Sequence, residues 1–172
     1  MKTLRGGRPF LRKLGRLRAL VLDVDGVLTD GGLYYGPAGE ALKRFHVRDG
    51  MGLRLVREAG LAVALITGEE TEIVRRRAEK LEIRDVFTGV EDKRKAFESF
   101  LASRGIDPRD AAFVGDDLLD LPALGAAGVP ITVPDAAPEA LRAARLVTER
   151  RGGEGAVREI CDAILAARSG RR

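Results

Sequence analysis

The stretch Leu20-Val21-Leu22-Asp23-Val24-Asp25-Gly26-Val27-Leu28-Thr29 constrains this chain more than any other. It opens apolar and partly β-branched, the composition of a strand buried on both faces of a parallel sheet. Residues two apart on a strand share a face, so Asp23 and Asp25 emerge together at its carboxyl end. Open α/β sheets collect their ligands in the crevice at those ends. Two carboxylates this close repel unless a cation or a proton separates them. Taken alone, the pair would equally suit the capping of a turn.

Further strand ends add to it. Leu61-Ala62-Val63-Ala64-Leu65-Ile66 leads into Thr67-Gly68-Glu69, and Ala111-Ala112-Phe113-Val114-Gly115 leads into Asp116-Asp117-Leu118-Leu119-Asp120. Between them, Asp92-Lys93 follows the short strand Val86–Val90. A hydroxyl, a lysine and a carboxylate cluster thus stand at successive strand ends, a set suited to phosphoryl transfer. A receiver domain also carries acidic strand ends with a Thr and a Lys, but its phospho-acceptor lies on a later strand.

In this order, Asp23-Val24-Asp25-Gly26-Val27-Leu28-Thr29, Ile66-Thr67-Gly68, Asp92-Lys93 and Gly115-Asp116-Asp117-Leu118-Leu119-Asp120 resemble the haloacid dehalogenase superfamily of phosphatases. The likeness runs from about Arg18 to the C-terminal region. It implies a three-layer, Rossmann-like α/β fold around a central parallel sheet.

Alternating strand and helix signals support the same architecture. Helices are expected from Asp49 (as cap) to about Ala59, from about Glu70 to Leu81, and from about Lys93 to Ser103. A short helix follows Asp120. Then come a strand over 128–133, a helix near 138–144, a strand over 146–148 and a last helix from about Gly155 to Ala167. One stretch departs from the alternation: residues 31–45 carry strand-forming arms around Gly36-Pro37 and read as a β-hairpin flap beside the Asp23 strand. Neither place where such phosphatases insert a cap domain is long enough for one, so the chain reads as capless and in need of a neighbouring subunit over its site.

The 172 residues suit one folded domain, taken as residues 18–168 with a tail at 169–172. Residues 1–18 hold seven bases and no acid, so the remainder carries −3 against the whole chain's +4. Residues 1–17 therefore read as a basic extension, solvated or docked on another subunit. No aromatic platform or recognition helix accompanies it to suggest nucleic acid, and no apolar run approaches the ~20 residues of a membrane span. The lone Cys161 excludes an internal disulfide, suits a reducing cytoplasm and falls in the apolar stripe of the last helix.

The superfamily resemblance assigns roles. Asp23 is implied as the nucleophile and Asp25 as the general acid, then base. Asp23, the backbone carbonyl of Asp25, and Asp116 are implied as ligands of Mg²⁺, a hard cation that takes oxygen donors. Thr67 and Lys93 are implied as the phosphate-holding hydroxyl and ammonium, with Gly68 in the phosphate turn. Asp117 and Asp120 are expected either to orient the loop or the lysine, or simply to favour a helix N-terminus.

More narrowly, the flap, Phe45 to Arg54 and Arg151 to Glu159 look like the phosphatases of 2-keto-3-deoxy sugar acids, capless enzymes that assemble as tetramers. Their substrates are 3-deoxy-manno-octulosonate 8-phosphate (KDO 8-phosphate) and 2-keto-3-deoxynononate 9-phosphate. Substrate contacts implied by this resemblance fall on Asp25, His46, Val47, Arg48, Asp49, Gly50, Arg54, Glu69, Arg77 and Lys93. Thr67-Gly68-Glu69 looks like the nine-carbon enzymes, where a Glu pairs with a Lys eleven residues on, here Lys80. His46–Gly50 and Arg54 look like the eight-carbon group, so the choice of substrate stays open. Two other functions compete: a broad sugar phosphatase, and an assembly module like the domain appended to sialic-acid cytidylyltransferases, which would be expected to lack the nucleophile or the lysine.

Overall fold

A computed structural model describes residues 4–170, and the strand carrying Asp23 stands near the middle of its seven-stranded sheet. In chain order the elements are β1 (Arg5–Gly6), α1 (Arg8–Lys13), β2 (Ala19–Leu22), β3 (Tyr34–Gly36), β4 (Gly39–Leu42), α2 (Val47–Glu58), β5 (Ala62–Ile66) and α3 (Glu72–Lys80). Then follow β6 (Asp85–Phe87), α4 (Lys93–Ser103), β7 (Ala111–Val114), α5 (Leu121–Ala126), β8 (Val129–Thr132), α6 (Pro138–Ala143), β9 (Leu146–Val147) and α7 (Ala156–Ser169). The strand order is β1-β9-β8-β7-β2-β5-β6, parallel throughout except for β1.

β2 pairs with β5 on one side and β7 on the other, Leu22 lying opposite both Leu65 and Val114. Chain progression therefore reverses direction across β2, and the crevice above its carboxyl end is the switch point where such sheets bind ligands. All four β2 residues are buried, as a strand covered on both faces must be. Leu20 and Leu22 pack with Leu53, Val56, Val74 and Ile160 on one face. Ala19 and Val21 pack with Phe97, Phe100, Phe113 and Leu124 on the other. These are the three layers expected, with no cap domain among the described residues. Cys161 is buried in the first of these clusters, where burial pushes its thiol well up from the usual range.

The flap forms as a two-stranded hairpin of β3 and β4, with Gly39 at φ +111° completing its turn. It is closed at its base by a bridge between Thr29 and Phe45 and by the Arg44–Asp30 ion pair at 3.1 Å.

The N-terminal segment corrects the reading of a separate extension. β1 adds antiparallel to β9, and Leu4, Leu14 and Leu17 are at most 2% exposed, with Phe10 and Leu11 packed beside them. Arg168 at the end of α7 donates to the Leu17 carbonyl at 2.6 Å and fastens the segment to the last helix. Arg8, Arg12 and Lys13 face outward and gave the segment its solvated look. Met1 to Thr3 and Arg171–Arg172 lie outside the described residues. Leu17→Ala should therefore destabilise the protein by about 2–5 kcal/mol in denaturant unfolding, as for a core leucine. A change under about 0.5 kcal/mol, the usual range for surface sites, would return the segment to the surface.

Candidate active site

The carboxyl ends of β2, β5 and β7, together with the start of α4, converge on one buried group of charges. Lys93, first residue of α4, directs its ammonium to Asp23 Oδ1 at 2.7 Å and to Asp120 Oδ1 at 2.8 Å, all three residues being buried. Burial alone would pull the lysine down, but Asp23 and Asp120 outweigh it and hold the ammonium above its usual range. Burial and the nearby Asp120 push Asp23 well up, against the pull of Lys93.

Asp120 spends its other oxygen on the loop, accepting from the backbone N–H of Asp116 at 2.9 Å and of Asp117 at 3.2 Å. Gly115 makes this possible: a Cβ there would lie 2.5 Å from the Asp120 side chain. Asp120 thus orients both the lysine and the loop, one of the two roles expected of it. Asp117 is exposed and caps the next turn through the Leu118 N–H at 2.8 Å.

Carboxylate oxygens of Asp23, Asp116 and Asp120 lie within 4.8 Å of one another. Asp116 Oδ1 is buried with no hydrogen-bond partner. Gly26, at φ +85°, leaves the room for that carboxylate, since a Cβ there would sit 2.0 Å from Asp116 Oδ2. An orphaned buried oxygen in an all-carboxylate set fits a hard divalent cation. Because Asp120 is committed to Lys93 and the loop, Asp23 and Asp116 are the oxygens that fit it best.

Asp25 stands at the mouth. Its Oδ1 takes the ammonium of Lys43 at 2.7 Å and its Oδ2 a longer bond of 3.3 Å from the Thr67 hydroxyl. The same hydroxyl accepts from the Glu69 N–H at 3.1 Å, across the turn that contains Gly68.

The haloacid dehalogenase-like hydrolase family matches residues 40–128. The 3-deoxy-D-manno-octulosonate 8-phosphate phosphatase of Yersinia pestis is 42% identical over 91% of this chain and 84% of its own. The chain belongs to this phosphatase family within the haloacid dehalogenase-like hydrolases. Its fold agrees. The Moraxella catarrhalis phosphatase, solved with magnesium, phosphate and KDO, matches with TM-score 0.91 and 36% identity over 94% of this chain and 93% of that one. The cobalt-bound Haemophilus influenzae phosphatase matches with TM-score 0.89 and 41% identity over 91% and 92%. The chain is a phosphoric monoester hydrolase.

The acidic and basic groups above gather at the strand ends, while the residues expected to contact the sugar are more dispersed. His46 caps α2, its Nδ1 accepting from the Arg48 N–H at 3.2 Å. It takes the capping place expected of Asp49. Asp49 instead lies inside the molecule, its carboxylate accepting from the Arg158 N–H at 2.7 Å in the first turn of α7. Gly50 is pressed against Arg77 and Leu81. The Arg77 guanidinium lies 5.4 Å above the Phe45 ring and donates to the His46 carbonyl at 3.5 Å, so it braces the turn into α2. Val47 and Arg48 are exposed beside the flap.

Arg54 is not brought to Asp23: it pairs with Glu58 and lines a groove with Arg57, Leu61 and Ala62, near the amino end of β5. The Glu69–Lys80 register also changes. α3 begins only at Glu72, capped by Thr71, so Glu69 stands in the preceding turn and helical phase does not link it to Lys80. Both side chains are exposed.

Sequence reasoning passed over Lys43, whose only local signal is the acid three residues before it, Glu40. Gly152 and Gly153 lie in the stretch Arg151 to Glu159 that carries part of the resemblance. In the structure they press on the loop that follows β2: a Cβ on Gly152 would lie 1.8 Å from the Gly26 carbonyl oxygen, and Gly153 donates to the Val27 carbonyl at 3.1 Å.

Burial, then Asp120, pushes Asp116 up to about 7 from the ordinary 3.8. Between those values the folded protein holds a proton that the unfolded chain has released. Stability from this group therefore falls as pH rises through the window, and the penalty is complete above about 7. Mg²⁺ competes with that proton. Added to chelator-treated protein, it should raise the melting temperature more at about pH 8 than at about pH 5.5. Equal shifts at both, measured by scanning calorimetry, would contradict the assignment of Asp116.

Proposed function

We propose that this phosphatase hydrolyses the phosphomonoester of KDO 8-phosphate through an aspartyl-phosphate on Asp23. The observation that carries the reading is the joining of Asp23, Asp120 and Lys93 in one buried ion group with Asp116 Oδ1 left open beside it. The names of the relatives supply the substrate. Mg²⁺, when bound by Asp23, Asp116 and the Asp25 carbonyl, supplies positive charge against that of the phosphate dianion.

An Asp23 oxygen forms a bond to phosphorus as the bond from phosphorus to the sugar oxygen breaks, and the Asp25 carboxyl proton passes to that oxygen. Then a water oxygen bonds to phosphorus, Asp23 leaves with its bonding pair, and the water's proton returns to Asp25. Lys93 and the Thr67 hydroxyl hold the phosphoryl oxygens, where fixed donors in a dry site stabilise developing charge. The retained Asp23, Asp25, Lys93 and Asp116 speak against a purely architectural module. The lone buried thiol suits a reducing cytoplasm, and no helix among the described residues is long and apolar enough to cross a membrane.

Glu69 supports a second reading, the nine-carbon acid, because a carboxylate accepts sugar hydroxyls well and repels a carboxylate. Phosphate release from the eight- and nine-carbon keto-acid phosphates, with p-nitrophenyl phosphate as reference, separates the two. The eight-carbon substrate should have the higher kcat/KM, and the reverse order would install the nine-carbon reading. Asp23→Asn should retain its fold and lose turnover on all three, whereas steady-state activity in that variant would overturn the nucleophile.

The assembly is read as a homo-oligomer, a tetramer, with flaps gathered at the interface. Leu33, Tyr34, Tyr35 and Leu42 on the flap and Val47 and Met51 beside it are exposed large apolar side chains, an expanse that soluble monomers rarely leave in water. Light scattering at micromolar concentration should return four chains. A fully active monomer would contradict this.

A further inference from the structure

Lys43 is a flap residue whose side chain is only 1% exposed, although the strand before it ends in the exposed Leu42. Lysines are rarely buried unless paired, and this one is paired twice. Its Nζ lies 2.7 Å from Asp25 Oδ1 and 2.8 Å from Glu40 Oε1. The flap that carries it is clamped at its root by the Thr29–Phe45 bridge and the Arg44–Asp30 pair, so the ammonium is delivered to Asp25 from a fixed base.

The two oxygens of Asp25 are held unequally. Oδ1 has the short, charge-assisted contact to Lys43, and Oδ2 has only the Thr67 hydroxyl at 3.3 Å. That hydroxyl is the one assigned to the incoming phosphate. Once it turns to the phosphoryl oxygens, Lys43 is, among the described residues, the remaining side chain in contact with the Asp25 carboxylate.

We propose that Lys43 is the positioning residue for Asp25, holding its carboxylate from the flap through both proton transfers. The proposal rests on the acid–base role given to Asp25 above. It gives the hairpin a part in chemistry beyond covering the site: a flap that shifts takes Lys43 with it and leaves Asp25 without its strongest restraint. Glu40, three residues before Lys43, fixes the ammonium from the other side.

The test compares Lys43→Met with wild type and with Asp25→Asn in rapid-mixing kinetics. On KDO 8-phosphate, which needs a proton on its leaving oxygen, Lys43→Met should lose kcat by about 10²-fold, the scale of a misplaced catalytic group, with KM little changed. On p-nitrophenyl phosphate the leaving group departs without that proton. Its first turnover should then keep the wild-type rate while later turnovers slow, giving a burst of nitrophenolate like that of Asp25→Asn. Damage to the flap alone would slow first and later turnovers together, and that result, or a rise confined to KM, overturns the proposal. So does wild-type kcat in Lys43→Met beside an inactive Asp25→Asn, which leaves the acid–base reading standing. Full activity in Asp25→Asn removes that reading and the proposal with it. Should the methionine variant misfold, Lys43→Ala with and without ethylammonium gives the same decision: recovery of kcat with the amine supports the proposal, and none in a folded protein overturns it.

Discussion

One buried lysine ties the site together. Lys93 opens α4 beneath the sheet's carboxyl edge and joins the end of β2, through Asp23, to the loop after β7, through Asp120. Removing two carboxylates and an ammonium from water is expensive, and their mutual attraction repays it only when the remaining lone pairs are satisfied. Asp120 meets that condition with two backbone N–H groups, whereas Asp116 leaves an oxygen unmet. The imbalance marks where a cation belongs. The same group of charges that organises the loop leaves one ligand position open.

Around it, backbone approaches nearer than any side chain would allow set the shape. Gly26 makes room for Asp116, Gly115 for Asp120, and Gly152 for the carbonyl of Gly26 itself. The loop before α7 thereby backs the loop after β2, and Asp49 anchors that last helix to α2 from within. One half of the site is built from these contacts and from β2. The flap supplies the other half through Lys43, so Asp23 is held from the sheet and α4 and Asp25 from the hairpin.

The sheet and its charged ends were legible because their causes are local. Leu20 to Leu22 read as a strand covered on both faces, period two placed Asp23 beside Asp25, and α4 ran over the expected residues from Lys93 to Ser103. What was not legible depended on distant partners or on competing signals. Asp49 looks like a helix cap from its neighbours, and only the fold shows that its partner lies 109 residues away. In the first 17 residues the arginines hid a helical spacing of Phe10, Leu11, Leu14 and Leu17 that belongs to the core. The helical phase linking Glu69 to Lys80 failed because Thr71 caps the helix two residues after Glu69. Lys43 has only Glu40, three residues before it, as a local sign, since its burial depends on Asp25 being opposite.

The claim that one coupled ion group organises this site is tested most directly by a double-mutant cycle on unfolding free energy with Lys93→Met and Asp120→Asn. Lys93→Met strands the buried Asp23 and Asp120 and is expected to cost about 3–5 kcal/mol, whereas Asp120→Asn leaves the ammonium its bond to Asp23 and costs less. The double variant should lose less than the sum, because Asp120 is then no longer a buried charge without its lysine and only Asp23 is stranded. Additivity within about 0.5 kcal/mol, as found for independent sites, would contradict the account.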